Sequence, residues 1–184
     1  MDNWKLSLQE GKILFASGNP EASIPFFTTA LEQGADQVTV GLSRGSANMA
    51  LQRFTDAKED FTLVIDAAPQ NERAYYFRGI AEIALQQYEA AIVDLTRSLT
   101  KNHKRGIAYL ARGLAYTELG NEKDAQLDFN SASAFSEAEL QSFLKVFDNH
   151  PAQRNKTIEM LKRQGAPWKA LLSQKEADAI RNSL

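Results

Sequence analysis

Arginine and aspartate recur at one spacing in this 184-residue chain: Arg44 with Asp60, Arg78 with Asp94, Arg112 with Asp128. A guanidinium can fork onto a carboxylate through two parallel hydrogen bonds. In a helical hairpin turning near the midpoint between them, the two positions lie level. We therefore expect a salt bridge across the two helices of each hairpin. The alternative is a row of solvated charges worth about 0–1 kcal/mol each. At the corresponding places near the N-terminus stand Glu10 and Phe26, so both members change together. Either way these arginines read as structural rather than ligand-binding.

The other reactive side chains form no constellation. His103 and His150 are the only histidines. Neither has a second histidine or a cysteine at metal-ligand spacing. The chain has no cysteine, which excludes disulfides, thiol catalysis and thiolate metal sites. No glycine-rich phosphate loop follows a strand, and no segment reads convincingly as a strand. Lys101, Lys104 and Arg105 around His103 could touch an acidic partner or a phosphate, or form a solvated loop. No catalytic, cofactor-binding or metal-binding residue is assigned, no cofactor is implied, and an enzyme is not expected.

The elements that position these residues follow from a second spacing. Gly11, Gly45, Gly79 and Gly113 stand 34 residues apart. Twelve residues after each comes Ser23, Ala57, Ala91 or Ala125, and four further on Phe27, Phe61, Leu95 or Phe129. Ala30, Val64, Ser98 and Ala132 complete the register. A fixed period of this length signals stacked supersecondary units. A glycine inside a helix costs about 1 kcal/mol against alanine, so it needs a packing reason. The expected reason is close approach of the neighbouring helix, with the small residue twelve on as its counterpart. The large apolar residue one turn later fills the space between units. Turns show in Ser17-Gly18-Asn19-Pro20 and Leu119-Gly120-Asn121.

With these residues the chain resembles the tetratricopeptide repeat family, whose unit is a 34-residue helix–turn–helix. Tyr75, Gly79, Tyr88, Ala91 and Leu95 follow its pattern, with Pro69 closing the previous unit. So do Tyr109, Gly113, Tyr116, Gly120, Ala125, Phe129 and Ala132. Repeat one departs most, with Ser7 for the first aromatic and Ser23 for the alanine. The resemblance implies an all-α fold: a right-handed superhelical array of four repeats, about 4–37, 38–71, 72–105 and 106–135. Residues 136–184 follow as a capping helix and two further short helices.

The family's first helices line a concave groove that holds other proteins. Mapped onto this chain, the groove is lined by Leu8, Leu42, Tyr76 and Leu110, then Lys12, Ser46, Ile80 and Leu114, then Phe15, Met49 and Ile83, with Arg73 beside them. Much of this surface is apolar, and an open apolar patch marks a binding site. The resemblance thus implies an adaptor or chaperone-like module taking an apolar peptide or amphipathic helix. Three occupants stay open: an external ligand, the chain's own or a neighbour's C-terminal segment in a self-assembling protein, or ordinary core between repeats. Family members that grip a C-terminal carboxylate do so with Lys and Asn side chains and an Arg. Here the matching positions read Leu8, Lys12, Ser43, Arg73 and Phe77, so that grip is not expected.

In the tail, Ser136 and Glu139 form a capping box that opens a helix with Leu140, Phe143, Leu144 and Phe147 on one face. That face should cover the end of repeat four. Asn149-His150-Pro151 ends it. A second helix over about 152–164 offers Ile158 and Leu161, and a last one begins near Ser173. Trp168, Leu171 and Leu172 between them are too apolar for a free tail; they fold back or dock on a partner. Net charge is −2, which implies no pull toward nucleic acid. No run approaches the length of a membrane span. The N-terminus lacks a basic, then apolar, leader, so a cytoplasmic protein is expected.

Overall fold

A computed structural model describes residues 3–132, 137–149, 151, 152, 154 and 155. Every regular element among the described residues is an α-helix. The chain divides into two compact units, Met1–Gln87 and Tyr88–Leu184.

The first unit holds α1 (Asn3–Ala16), α2 (Pro20–Glu32), α3 (Gln37–Ala50), α4 (Phe54–Ala67) and α5 (Glu72–Ala84). α1 packs on α2 and α3 on α4, as hairpins; α2 also packs on α3, and α4 on α5. Chain chemistry sets the helix starts. Pro20 opens α2, where its missing N–H costs nothing. The Asp36 carboxylate caps α3 by accepting from the Thr39 N–H at 2.8 Å, and Asn71 caps α5 from the Ala74 N–H at 3.2 Å. Burial then holds the hairpins together. Leu8, Phe27, Ala30, Ala35, Val40 and Ala47 form one cluster drawn from α1, α2, α3 and the loop between α2 and α3, with Trp4, Phe15, Ile24 and Leu31 against it. Val64, Ile65, Ala74 and Tyr75 form a second, with Val38 and Leu42 against it. A fully buried ring such as Phe27 contributes roughly 2–3 kcal/mol.

The second unit holds α6 (Tyr88–Lys101), α7 (Gly106–Glu118), α8 (Glu122–Ser131) and α9 (Glu137–Lys145). α7 packs on α6, α8 and α9. Phe143, Leu144 and Phe147 are buried, with the two rings edge to face at 5.2 Å, so the apolar face read from the tail is a packed one. Ser136, His150 and residues 156–184, with Trp168, the last tail helix and all but the start of the one expected over about 152–164, lie outside the described residues.

The ladder glycines have a different neighbour from the one their spacing suggests. A Cβ on Gly11 would stand 2.7 Å from the Phe27 ring, and one on Gly45 2.7 Å from the Phe61 ring; on Gly113 it would overlap the Phe129 ring. The counterpart is thus the aromatic sixteen residues on, not the small residue twelve on. The rim of the ring occupies the space that a side chain would take, and only a missing side chain leaves it room.

The turns that follow α1, α3, α5 and α7 carry a further 34-residue register. Gly18 and Gly120 have φ of +83° and +73°, and the equivalent residues Gln52 and Gln86 have +58° and +59°. All four adopt the left-handed conformation, although only two are glycine.

Candidate protein-interaction surface

Paired arginines and aspartates brace the hairpins. Arg44 donates from Nε and Nη2 to Asp60 Oδ1 at 2.8 and 2.6 Å, and Asn48 Nδ2 donates to Oδ2 at 2.9 Å. Arg112 forks onto Asp128, Nε to Oδ2 and Nη2 to Oδ1, both at 2.7 Å. Asp60 and Asp128 are buried. Burial raises both carboxyl pKa values above the ordinary range, although the arginine hydrogen bonds and charge pull each down. The same hydrogen bonds from Arg112 hold its own guanidinium pKa above the usual value. Arg78 and Asp94 fall one in each unit.

Each arginine has one more partner, which the Arg/Asp spacing does not reveal. Nη1 of Arg44 donates to Thr28 Oγ1 at 3.0 Å, that of Arg78 to Thr62 at 3.0 Å, and that of Arg112 to Thr96 at 2.8 Å. The three threonines also stand 34 residues apart, a signal present in the chain but unremarkable without the geometry. Arg44 therefore joins α2, α3 and α4, and Arg112 joins α6, α7 and α8. With its fork filled, the guanidinium has little left for a ligand.

The residues mapped to the groove separate by burial. Leu8, Tyr76, Ile80, Ile83, Leu110 and Leu114 are buried, and Phe15, Leu42, Ser46 and Met49 are half-buried. Only Lys12 and Arg73 are exposed. The expected apolar row is thus largely closed within the chain. Leu8 and Phe15 pack into the first cluster, Leu42 against the second, and the Tyr76 ring lies 5.1 Å from that of Phe77. Among the described residues, the large exposed apolar side chains lie elsewhere, at Leu6, Ile13, Phe26, Val93, Leu119 and Leu127. Among the described residues no group of three acidic or histidine side chains is placed to hold a metal ion. No described helix is long and apolar enough to cross a membrane.

The sequence model of the tetratricopeptide repeat matches residues 8–72 and 42–102, more than half of the 184 residues. The chain belongs to the tetratricopeptide repeat family. No curated protein sequence matches it. Solved structures with a similar fold include MamA, at 20% identity and a TM-score of 0.68, covering 94% of this chain and 96% of that one. MamA 41-end from Desulfovibrio magneticus RS-1 is 19% identical, with a TM-score of 0.68 over 72% of this chain and 75% of its own. The first TPR of Spaghetti (RPAP3) bound to the HSP90 peptide SRMEEVD is 23% identical, with a TM-score of 0.61 over 65% and 96%. At these identities the likeness speaks for the fold.

In this tetratricopeptide chain Leu8, Ser43 and Phe77, at three of the five positions of the family's carboxylate grip, are engaged within the chain, whereas Lys12 and Arg73 are exposed. Leu8 is buried, and the Ser43 hydroxyl donates to the Thr39 carbonyl at 2.8 Å. The Phe77 ring stacks on Phe61 at 5.5 Å, with the Arg73 guanidinium 6.0 Å away.

Proposed function

We propose that this tetratricopeptide protein is an interaction scaffold. The first-helix face of its unit Met1–Gln87 receives an apolar peptide or amphipathic helix of another protein. One observation carries the reading: that face is mixed, with half-buried Phe15, Leu42, Ser46 and Met49 beside exposed Lys12 and Arg73. Half-open apolar side chains offer shallow anchors, and the two cations favour acidic residues flanking the apolar segment. Buried Tyr76, Ile80 and Ile83 of the same unit act as support beneath rather than as contacts.

Peptides selected from a displayed library should be apolar with acidic flanks. Met49→Glu should weaken them about tenfold or more, with helicity unchanged by circular dichroism. Binding insensitive to Met49→Glu and to Lys12→Glu rejects the reading.

A second reading has the chain's own or a neighbour's C-terminal segment in the groove. The closure of Tyr76, Ile80 and Ile83 to solvent favours it. Under that reading, removal of residues 156–184 exposes apolar surface to a hydrophobic dye and changes the concentration dependence of sedimentation. No change in either excludes it.

A further inference from the structure

The repeat register shows what covers each first helix, and α1 breaks the pattern. On α3, Val40 and Ala47 are fully buried in the cluster that contains Phe27 and Ala30 of α2, the second helix of the preceding hairpin. Ala74 and Ala81 on α5, and Ala108 and Ala115 on α7, stand at the same register positions and are equally closed. The equivalents on α1 are Leu6 and Ile13, 61% and 52% exposed. They are larger than any of their counterparts and share one helix face with Glu10. Phe26, 39% exposed, borders the same face: its Cβ is 3.3 Å from where a Gly11 side chain would begin. A terminal repeat kept for solubility alone presents a polar outer face.

The charge at the centre of this patch specifies its occupant. Glu10 stands at the register position of Arg44, whose Nη1 donates to Thr28 on the preceding second helix. A helix seated on α1 as α2 is seated on α3 brings its own residue at the Thr28 position against the Glu10 carboxylate. A cation there is attracted, whereas an acid is repelled and desolvated. Symmetric pairing of two α1 faces would set Leu6 against Ile13 and Glu10 against its own copy, which argues against a two-fold dimer. Because Leu6 and Ile13 are bulkier than Val40 and Ala47, the occupant needs small side chains opposite them.

We infer that the face Leu6, Glu10, Ile13 and Phe26 docks a cationic amphipathic helix of another protein, in the place of a preceding second helix. This is a second surface, on the opposite side of α1 from Lys12 and Phe15 at 3.6 residues per turn.

The test uses the full chain and two stapled helical peptides of 14 residues, the length of α1. Both carry an alanine–leucine face, one with arginine and one with glutamate at its centre, and binding is read by fluorescence anisotropy. The arginine peptide should bind about tenfold or more tightly than the glutamate peptide. Glu10→Arg should reverse that order, and Leu6→Asp, at an exposed position, should abolish binding of both. Equal binding of the two peptides, no binding of either, or binding indifferent to Leu6→Asp overturns the proposal. So does a dimer in sedimentation that Leu6→Asp dissolves, since a second copy would then be the occupant.

Discussion

The Arg112 guanidinium meets both carboxylate oxygens of Asp128 at 2.7 Å while its remaining nitrogen reaches Thr96 at 2.8 Å. One side chain on α7 thereby ties down α6 and α8. The two members are not equivalent, because Asp128 is nearly closed to solvent and the arginine side chain keeps 16% of its surface. Arg112→Ala should cost about 3 kcal/mol by urea unfolding, since it strands a buried carboxylate. Asp128→Asn should cost clearly less, because the amide keeps the shape and loses the charge. Equal costs would mean that the pair is only a surface contact.

The same asymmetry should appear in pH. Asp60 and Asp128 have folded pKa values raised by burial above the ordinary value near 3.8. The native state therefore binds protons that the unfolded state has already released. Their contribution is most favourable at low pH and declines as pH rises through the folded pKa. In Arg112→Ala the pull of the guanidinium is gone, so the window extends upward. The stability difference between that variant and the parent should shrink as pH falls from 7 toward 4. A difference independent of pH would remove the carboxylate from the explanation.

Asp36 behaves in the opposite sense. Hydrogen bonds from the Thr39 hydroxyl and then its N–H hold the carboxyl below the usual aspartate range. Its contribution is present above the unfolded pKa and is lost as pH falls through the lowered folded value. Asp36→Ala should cost about 1 kcal/mol at pH 7, and thermal melts should show the cost vanishing in strong acid.

Gly45 faces a ring edge, whereas Gly41 faces backbone. A Cβ on Gly41 would stand 2.9 Å from the Asp60 carbonyl oxygen and 2.6 Å from Val64. Both alanine variants gain about 1 kcal/mol of helix propensity, and both should still lose stability through overpacking. Gly41→Ala should lose more, because the backbone cannot turn aside. Phe61→Leu should recover part of the Gly45→Ala loss and none of the Gly41→Ala loss, as judged by unfolding midpoints.

Gln86 holds φ at +59° in a turn where Gly18 and Gly120 serve elsewhere. The left-handed conformation costs a non-glycine residue roughly 1 kcal/mol. Gln86→Gly should therefore raise the melting temperature by a few degrees. A lower one would show that the side chain contributes more than the strain removes.

The period of 34 was legible because a repeat writes its packing into spacing: the glycines, Phe27, Phe61 and Phe129, and the Arg/Asp pairs all stand in register. Residue type and register together placed Arg44 with Asp60 and Arg112 with Asp128, since an arginine and an aspartate level with each other across a hairpin can fork. The tail helix α9 was equally plain from Phe143, Leu144 and Phe147. Spacing could not say which of two register-matched residues touches a glycine, and the structure gave Phe27 and Phe61 that place instead of Ser23 and Ala57. Nor could it distinguish Leu6 from Tyr76. Both are apolar, both lie on first helices, and one is exposed while the other is closed. The sequence by itself determined the fold family and the polar braces, because those depend on periodic local chemistry. Only the tertiary structure decided which apolar faces remain open, because exposure depends on the neighbours that pack against a residue and not on the residue itself.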